Sequence, residues 1–262
     1  MEGIPNQDRG GTGAHMKHRY LILIPCLWVF IPWQALADCV RTPQAVLDEV
    51  DAIRAPGDDF GFSLEVTHIR PNKDDLHYEF DVRVKNRTKS LVKYTAPLTA
   101  RGKLLLMLEK NMWIYIPGTR RAIRISPQQQ LLGQVSNADV ARVVYSIDYR
   151  AEAMAEETWR DTDAYRVTLK PLGNSPYGGI ELFAAKSDCR PLQAAFYTLS
   201  GRLLKTISYH DYRDTAGRAR PMRLEVEDAI KEGERTVMRY KDLQIVDTPD
   251  SWFQKNYLPR LR

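Results

Sequence analysis

Cysteine is scarce here, with three in 262 residues. Cys26 lies in an apolar N-terminal stretch, which leaves Cys39 and Cys189 for the rest of the chain. Two lone cysteines and the scattered His68, His77 and His210 give no ligand spacing for a metal, so neither metal nor other cofactor is expected. A long apolar run is missing too. Leu21 to Trp33 is nearly all apolar, but Pro25 and Pro32 interrupt it, and it falls short of the ~20 residues a membrane span needs. Charge of one sign is not in large excess. Once Arg9, Lys17, Arg19, Glu2 and Asp8 leave with the N-terminus, 35 basic and 31 acidic side chains remain. That excess is too small and dispersed for a nucleic-acid partner, though compatible with an anionic surface. There is no Gly-x-Ser-x-Gly elbow, no His-Glu-x-x-His and no phosphate-binding glycine loop. His210 stands near Asp211 and Asp214 without a recognisable nucleophile. The chain is therefore read as a non-enzyme with no catalytic residues. No repeat, low-complexity stretch or linker divides it.

The N-terminus carries an address. Residues 1–15 are polar and glycine-rich, and Met16 is taken as the true start. Lys17, His18 and Arg19 precede the apolar run, and Ala35-Leu36-Ala37 forms a small-x-small cleavage site. These are the parts of a secretory signal peptide. Residues 1–37 are thus expected to be leader and signal, with cleavage after Ala37, and residues 38–262 a single domain. In an exported protein the even pair Cys39 and Cys189 reads as one disulfide.

The remaining pattern has mostly period two. "DLHYEFDVRVKN" places Leu76, Tyr78, Phe80, Val82 and Val84 on one face and His77, Glu79, Asp81, Arg83 and Lys85 on the other. Similar strands follow at "SLVKYTAP", "KLLLMLEK" and "MWIYIP", at "ETWRDTDAYRVTLKP", and through to "RTVMRYKDLQIV". About 10–11 strands are expected in meander order. The short connections make the sheet antiparallel. Helices are few. Thr42-Pro43 opens one over residues 43–54, with Val46, Leu47, Val50 and Ile53 on one face. Ser126-Pro127-Gln128-Gln129 is expected to open a helical turn closed by Gly133. Asn137 caps another, carrying Val140, Val143, Val144 and Ile147. The fold class is mainly β with a few helices (α+β). The sheet either closes into a barrel or forms a trough with the helices as an incomplete lid.

In order and spacing, "GKLLLMLEKNMWIYIPGTRRAIRIS", "LLGQVSNADVARVVYSIDY", "YGGIELFAAKSDCRPLQAAFYTLSGRLLKTISYHDY" and "RTVMRYKDLQI" before "SWFQKNYL" resemble the outer-membrane lipoprotein-sorting proteins, the LolA/LolB-like periplasmic carriers. The residues that carry the resemblance are Trp113, Tyr115 and Pro117 of a Trp-x-Tyr-x-Pro hairpin, the pair Asp139-Val140, and Gly201 with Lys205. The resemblance covers most of residues 42–258. It implies a half-open antiparallel β-barrel with short helices as a lid over an apolar cavity. It also implies a periplasmic location and a cargo of lipoprotein acyl chains or free lipid. The implied partners are an inner-membrane transporter as donor and an acceptor protein or the outer membrane as destination. The Cys39/Cys189 pair is a departure from that family.

On this reading, the apolar strand beside a basic turn, "MWIYIPGTRRAIRIS", joins cavity to rim. Read as one strand, Leu104–Pro117 puts Leu104, Leu106, Leu108, Met112, Ile114 and Ile116 on one side and Leu105, Met107, Trp113 and Tyr115 on the other. The candidate cavity wall is Leu76, Tyr78, Phe80, Val82, Leu105, Met107, Trp113 and Tyr115. Arg120, Arg121 and Arg124 are expected at the rim, facing an anionic head group, a membrane surface or an acidic transporter loop. The chain is read as a monomer. The alternative is a periplasmic adaptor whose interior is filled by its own side chains and which docks a transporter without binding lipid.

Overall fold

A computed structural model describes residues 42–119, 121–231 and 233–261. The first element is helix α1, Pro43–Arg54. Thr42 Oγ1 accepts the Ala45 amide at 3.2 Å, a cap that stabilises a helix by about 1 kcal/mol. Val46, Leu47, Val50 and Ile53 are buried as the spacing predicts, each contributing roughly 1.5–3 kcal/mol over leaving it in water.

Six strands follow: β1 Phe60–Ile69, β2 Leu76–Lys85, β3 Lys89–Ala96, β4 Leu104–Leu108, β5 Asn111–Tyr115 and β6 Ala122–Ile125. Then come the short pair β7 Gln130–Leu132 and β8 Val135–Ser136, and helix α2, Asn137–Ala141. Seven more strands complete the sheet: β9 Tyr149–Trp159, β10 Thr162–Pro171, β11 Gly179–Ala185, β12 Pro191–Tyr197, β13 Leu203–Thr215, β14 Arg218–Asp228 and β15 Arg235–Ile245. Two 3-10 turns, Asp250–Phe253 and Leu258–Arg260, end the described chain.

Thirteen of the strands form one antiparallel sheet in the order β6-β5-β4-β3-β2-β1-β15-β14-β13-β12-β11-β10-β9. The chain meanders from β1 out to one edge, crosses to the other edge, and meanders back until β15 pairs with β1. The edge strands β6 and β9 are not paired with each other, so the sheet is open. Its size exceeds the expected 10–11 strands, and β6 at one edge is a strand that the sequence pattern does not announce. Residues 126–148, including the β7–β8 pair and α2, are the crossing between the two edges. The lid is therefore the connection that the meander order itself requires.

Two expectations about this crossing are corrected. The residues after Ser126 form a turn and the short strand β7, not a helix. Ser126 Oγ accepts the Gln128 amide at 3.3 Å, a local hydroxyl turn that ends there. The next helix is capped by Ser136, not Asn137, through a capping box with Asp139. It stops at Ala141, so Val143 and Val144 lie beyond it in irregular backbone and Ile147 in a turn.

Alternation decides the core. Phe60, Phe62, Leu64 and Val66 of β1, Phe80, Val82 and Val84 of β2, and Tyr165, Val167 and Leu169 of β10 meet α1 and the crossing segment in one buried cluster. A second cluster sits on the opposite face of β3–β5, where Leu91, Leu104, Leu106 and Tyr115 are covered by Phe253 and Leu258.

Candidate functional site

The candidate site is the inner face of the sheet with its lid, residues 126–148. On β2, Phe80 and Val82 point into the interior cluster, with Tyr78 half-buried against it and Leu76 exposed at the strand start. Tyr78, Phe80 and Tyr94 of β3 form an aromatic group, with Phe80 and Tyr94 edge-to-face at 4.8 Å between centroids. Burial pushes the Tyr94 phenol up to about 12. Leu105 and Met107 of β4 join the same interior.

Trp113 and Tyr115 do not. Residues 104–117 are two strands, with a hairpin turn at Glu109 (φ 52°) and Lys110. The pairing sets Trp113 opposite Leu106 and Tyr115 opposite Leu104. Directly opposed residues share a face, so Trp113 and Tyr115 lie on the outer face, and Met112 and Ile114 face inward with Leu105 and Met107. Tyr115 packs in the outer cluster, and the Lys255 ammonium stands 4.8 Å from the Trp113 ring centroid. The expected split of faces is therefore wrong for β5, because the turn shifts the alternation.

Arg124 is paired opposite Trp113 on the outer face, and its guanidinium donates to Asn111 Oδ1 at 2.5 Å. Arg121 is exposed in the preceding turn, and Arg120 lies outside the described residues. Cys189 is fully buried, while Cys39 and the whole leader lie outside the described residues.

At the lid's edge, a space lined by Met107, Ser126, Gln128 and Asp148 is about 70 Å³. The space under the lid bordered by Ala138, Asp139, Tyr145, Tyr177 and Phe196 is about 20 Å³. That holds about one water molecule, against the ~300 Å³ or more of a small-molecule site.

Three polar contacts pin the lid over this apolar interior. In the first, the Lys205 ammonium on β13 meets the Asp139 carboxylate at the start of α2, and both side chains are almost fully buried. Lys205 also donates to the Gln134 carbonyl at 3.0 Å and to the Tyr177 hydroxyl at 2.7 Å, and Tyr177 donates to Asp139 Oδ1 at 2.8 Å. Burial pushes the Lys205 amine down, with Asp139 opposing, and pushes the Tyr177 phenol well up. The resemblance had picked out Asp139 and Lys205 separately, and the fold brings them together.

In the second contact, Asp51 of α1 accepts the amides of Tyr145 and Ser146 at 2.8 and 2.7 Å. The Arg54 guanidinium stacks 3.8 Å from the Tyr145 ring centroid, and the Tyr145 and Tyr209 hydroxyls are 2.6 Å apart. Burial raises the Asp51 carboxyl, with Arg54 opposing. In the third, the Ser90 hydroxyl of β3 donates to the Ala141 carbonyl at 2.5 Å, and the Arg142 guanidinium donates to the Glu109 carbonyl of the β4–β5 turn. Within the lid, Arg142 and Asp148 form a buried ion pair at 3.0 Å. Burial raises the Asp148 carboxyl and lowers the Arg142 guanidinium, each partner opposing.

Sequence reasoning missed Asp51 and the Arg142–Asp148 pair. A signal existed for the first, since Asp51 sits one turn after Leu47 on the apolar stripe of α1. Among the described residues no helix is long and apolar enough to cross a membrane, and no group of three or more His, Cys, Asp or Glu could hold a metal.

An open antiparallel sheet closed by its own crossing segment is the architecture of a known set of proteins. A family profile described as that of an uncharacterised protein matches residues 86–260. A LolA superfamily protein from Nitrosomonas europaea shares 36% sequence identity, with a TM-score of 0.79 over 83% of this chain and 100% of that one. The chain belongs to the LolA superfamily. The fold is also that of a candidate outer membrane lipoprotein-sorting domain from Vibrio parahaemolyticus, at 19% identity, TM-score 0.68, 84% of this chain and all of that one. A DUF1329 family protein from Desulfovibrio piger has it too, at 21% identity, TM-score 0.72, 84% of this chain and 99% of that one. No curated protein matches the chain.

Proposed function

We propose that this protein is a periplasmic carrier that accepts the acyl chains of a lipoprotein or lipid on the inner face of its sheet and moves them toward the outer membrane. It is described here in its closed state. The observation that carries the reading is the contrast between interior and fastening. The inner face is apolar from β6 to β9, while the lid is held down by a few polar contacts. Opening the lid would rehydrate the Lys205–Asp139 pair and the Asp51 carboxyl, which offsets part of the apolar surface exposed. Each methylene of an entering chain would return ~0.8 kcal/mol. Phe80, Val82, Leu105 and Met107 would line the opened trough, with Tyr78 at its border. The proposed location rests on the signal sequence, cleaved after Ala37, and the proposed Cys39–Cys189 disulfide suits an oxidising compartment. The donor would be an inner-membrane transporter.

The test is uptake of acylated molecules by the mature protein, read by native mass spectrometry and lipid extraction, together with amide exchange over residues 126–148. Uptake with loss of lid protection is expected. One observation favours the second reading, a periplasmic adaptor that docks a transporter: Phe80, Val82, Leu105 and Met107 are already buried against the protein's own side chains. That reading requires no uptake at any lipid load and an unchanged lid.

A further inference from the structure

In an antiparallel meander alternate connections lie at the same end of the sheet. Four neighbouring turns at one end are the β1–β2 turn (70–75), the β3–β4 turn (97–103), the β12–β13 turn (198–202) and the β14–β15 turn (229–234). They follow one another along the strand order, each about two strand spacings, ~10 Å, from the next. Gly233 of one lies against Pro71 of its neighbour.

Leu98, Leu199 and Ile230 stand on three of these tips, 76, 91 and 64% exposed, and Leu76 borders the fourth. At the opposite end, the tips at 86–88, 109–110, 160–161 and 216–217 carry no large exposed apolar side chain, and Ile245 is the nearest one there among the described residues. Basic side chains flank the apolar tips: Arg70, Lys73, Arg101, Lys103, Arg202 and Lys231 belong to these four turns, against the acidic Asp74, Asp75, Glu232 and Glu234. Asp228, which borders them, is already bonded to Gln134 of the lid.

We infer that this rim docks on an anionic lipid bilayer, inserting Leu98, Leu199 and Ile230 below the head groups while the basic side chains meet lipid phosphates. A protein partner needs a continuous patch with a packed centre. Single aliphatic side chains on separate tips, spaced along an arc and flanked by cations, suit a fluid surface that closes around each one. The same end holds the lid's β7–β8 turn, where Gly133 lies against His68 and Gln134 is bonded to Lys205 and Asp228. Docking would therefore bring the lid turn to the membrane. That purpose rests on the carrier reading, but the docking itself does not.

The test is flotation of the mature full chain with phosphatidylcholine vesicles, with and without phosphatidylglycerol, at low and high salt. Binding is expected to require the anionic lipid and to weaken with salt. The triple variant Leu98→Ser/Leu199→Ser/Ile230→Ser should lose at least tenfold in vesicle affinity with an unchanged melting curve, and Ile245→Ser at the other end should bind as wild type does. Lipid uptake from detergent solution, measured on the same proteins, reads the carrier function separately: the triple variant should keep it. Failure of the wild type to float with anionic vesicles, or equal flotation of wild type and triple variant, overturns the inference and leaves these tips to a protein partner.

Discussion

Lys205 of β13 and Asp139 of α2 form an ion pair that water scarcely reaches, with side chains 3 and 5% exposed. The two residues are far apart in sequence, and their contact fastens the lid to the sheet. A buried pair of this kind adds little net stability when intact, but removing one partner strands the other charge, at about 3–5 kcal/mol. Lys205→Met should therefore destabilise the protein by about that much in urea, or release the lid, seen as faster amide exchange over residues 134–142. The double variant Lys205→Met/Asp139→Asn should recover much of the loss, because no charge is then left alone. Equal behaviour of single and double variants would remove the pair from the account.

Gly133 makes a second, steric test. Its φ is +54°, and an added β-carbon would stand 2.5 Å from His68 Nδ1 and 2.4 Å from Thr236 Oγ1. Gly133→Ala should cost roughly 1–3 kcal/mol from the strained backbone and the clash together. The loss should appear first as weaker protection of residues 130–141 in amide exchange, with the β1–β15 pairing still protected.

Acid should act on Asp51 in the direction opposite to an exposed, salt-bridged carboxylate. Burial raises its folded pKa above the ordinary 3.8, against Arg54 and two amides. The folded state then takes up the proton at higher pH than the unfolded chain does. This group's contribution to stability thus grows as pH falls through the folded pKa and is complete below 3.8. Asp51→Asn removes that component. As pH falls toward 3.8, the urea midpoint of the variant should fall more steeply than that of wild type. Parallel curves would contradict the assignment.

The outer face gives a prediction that separates structure from cargo. Trp113 and Tyr115 contact the C-terminal segment and not the interior. Trp113→Ala should speed proteolysis within residues 250–261 and leave lipid uptake unchanged. Phe253→Ala, which empties the outer cluster, should cost about 3–5 kcal/mol.

The history of Trp113 shows where sequence reading ends. Helix α1 and strands β1 and β2 were legible because a cap, a proline and uninterrupted alternation act within a few residues. The inward set Tyr78, Phe80 and Val82 followed from period two alone. For β5 the same rule failed, since the turn at Glu109–Lys110 shifts the phase and nothing in "LEKNMW" announces by how much. The outer cluster was illegible for another reason: its cover, Phe253 and Leu258, arrives from the end of the chain. Lys205 did leave a trace, as a cation in phase with the inward Ile207 and Tyr209. What it faced depended on how the crossing segment folds, and there Ser126 makes a turn where a helix was expected.

The central claim is that the buried apolar interior is the closed state of a container. The most direct measurement is native mass spectrometry with lipid extraction on the mature protein, with lid exchange followed on the same samples. The account predicts that acylated molecules are taken up and that residues 126–148 lose protection as they enter. A clean ligand-free mass at every lipid load, with the lid unchanged, would contradict it.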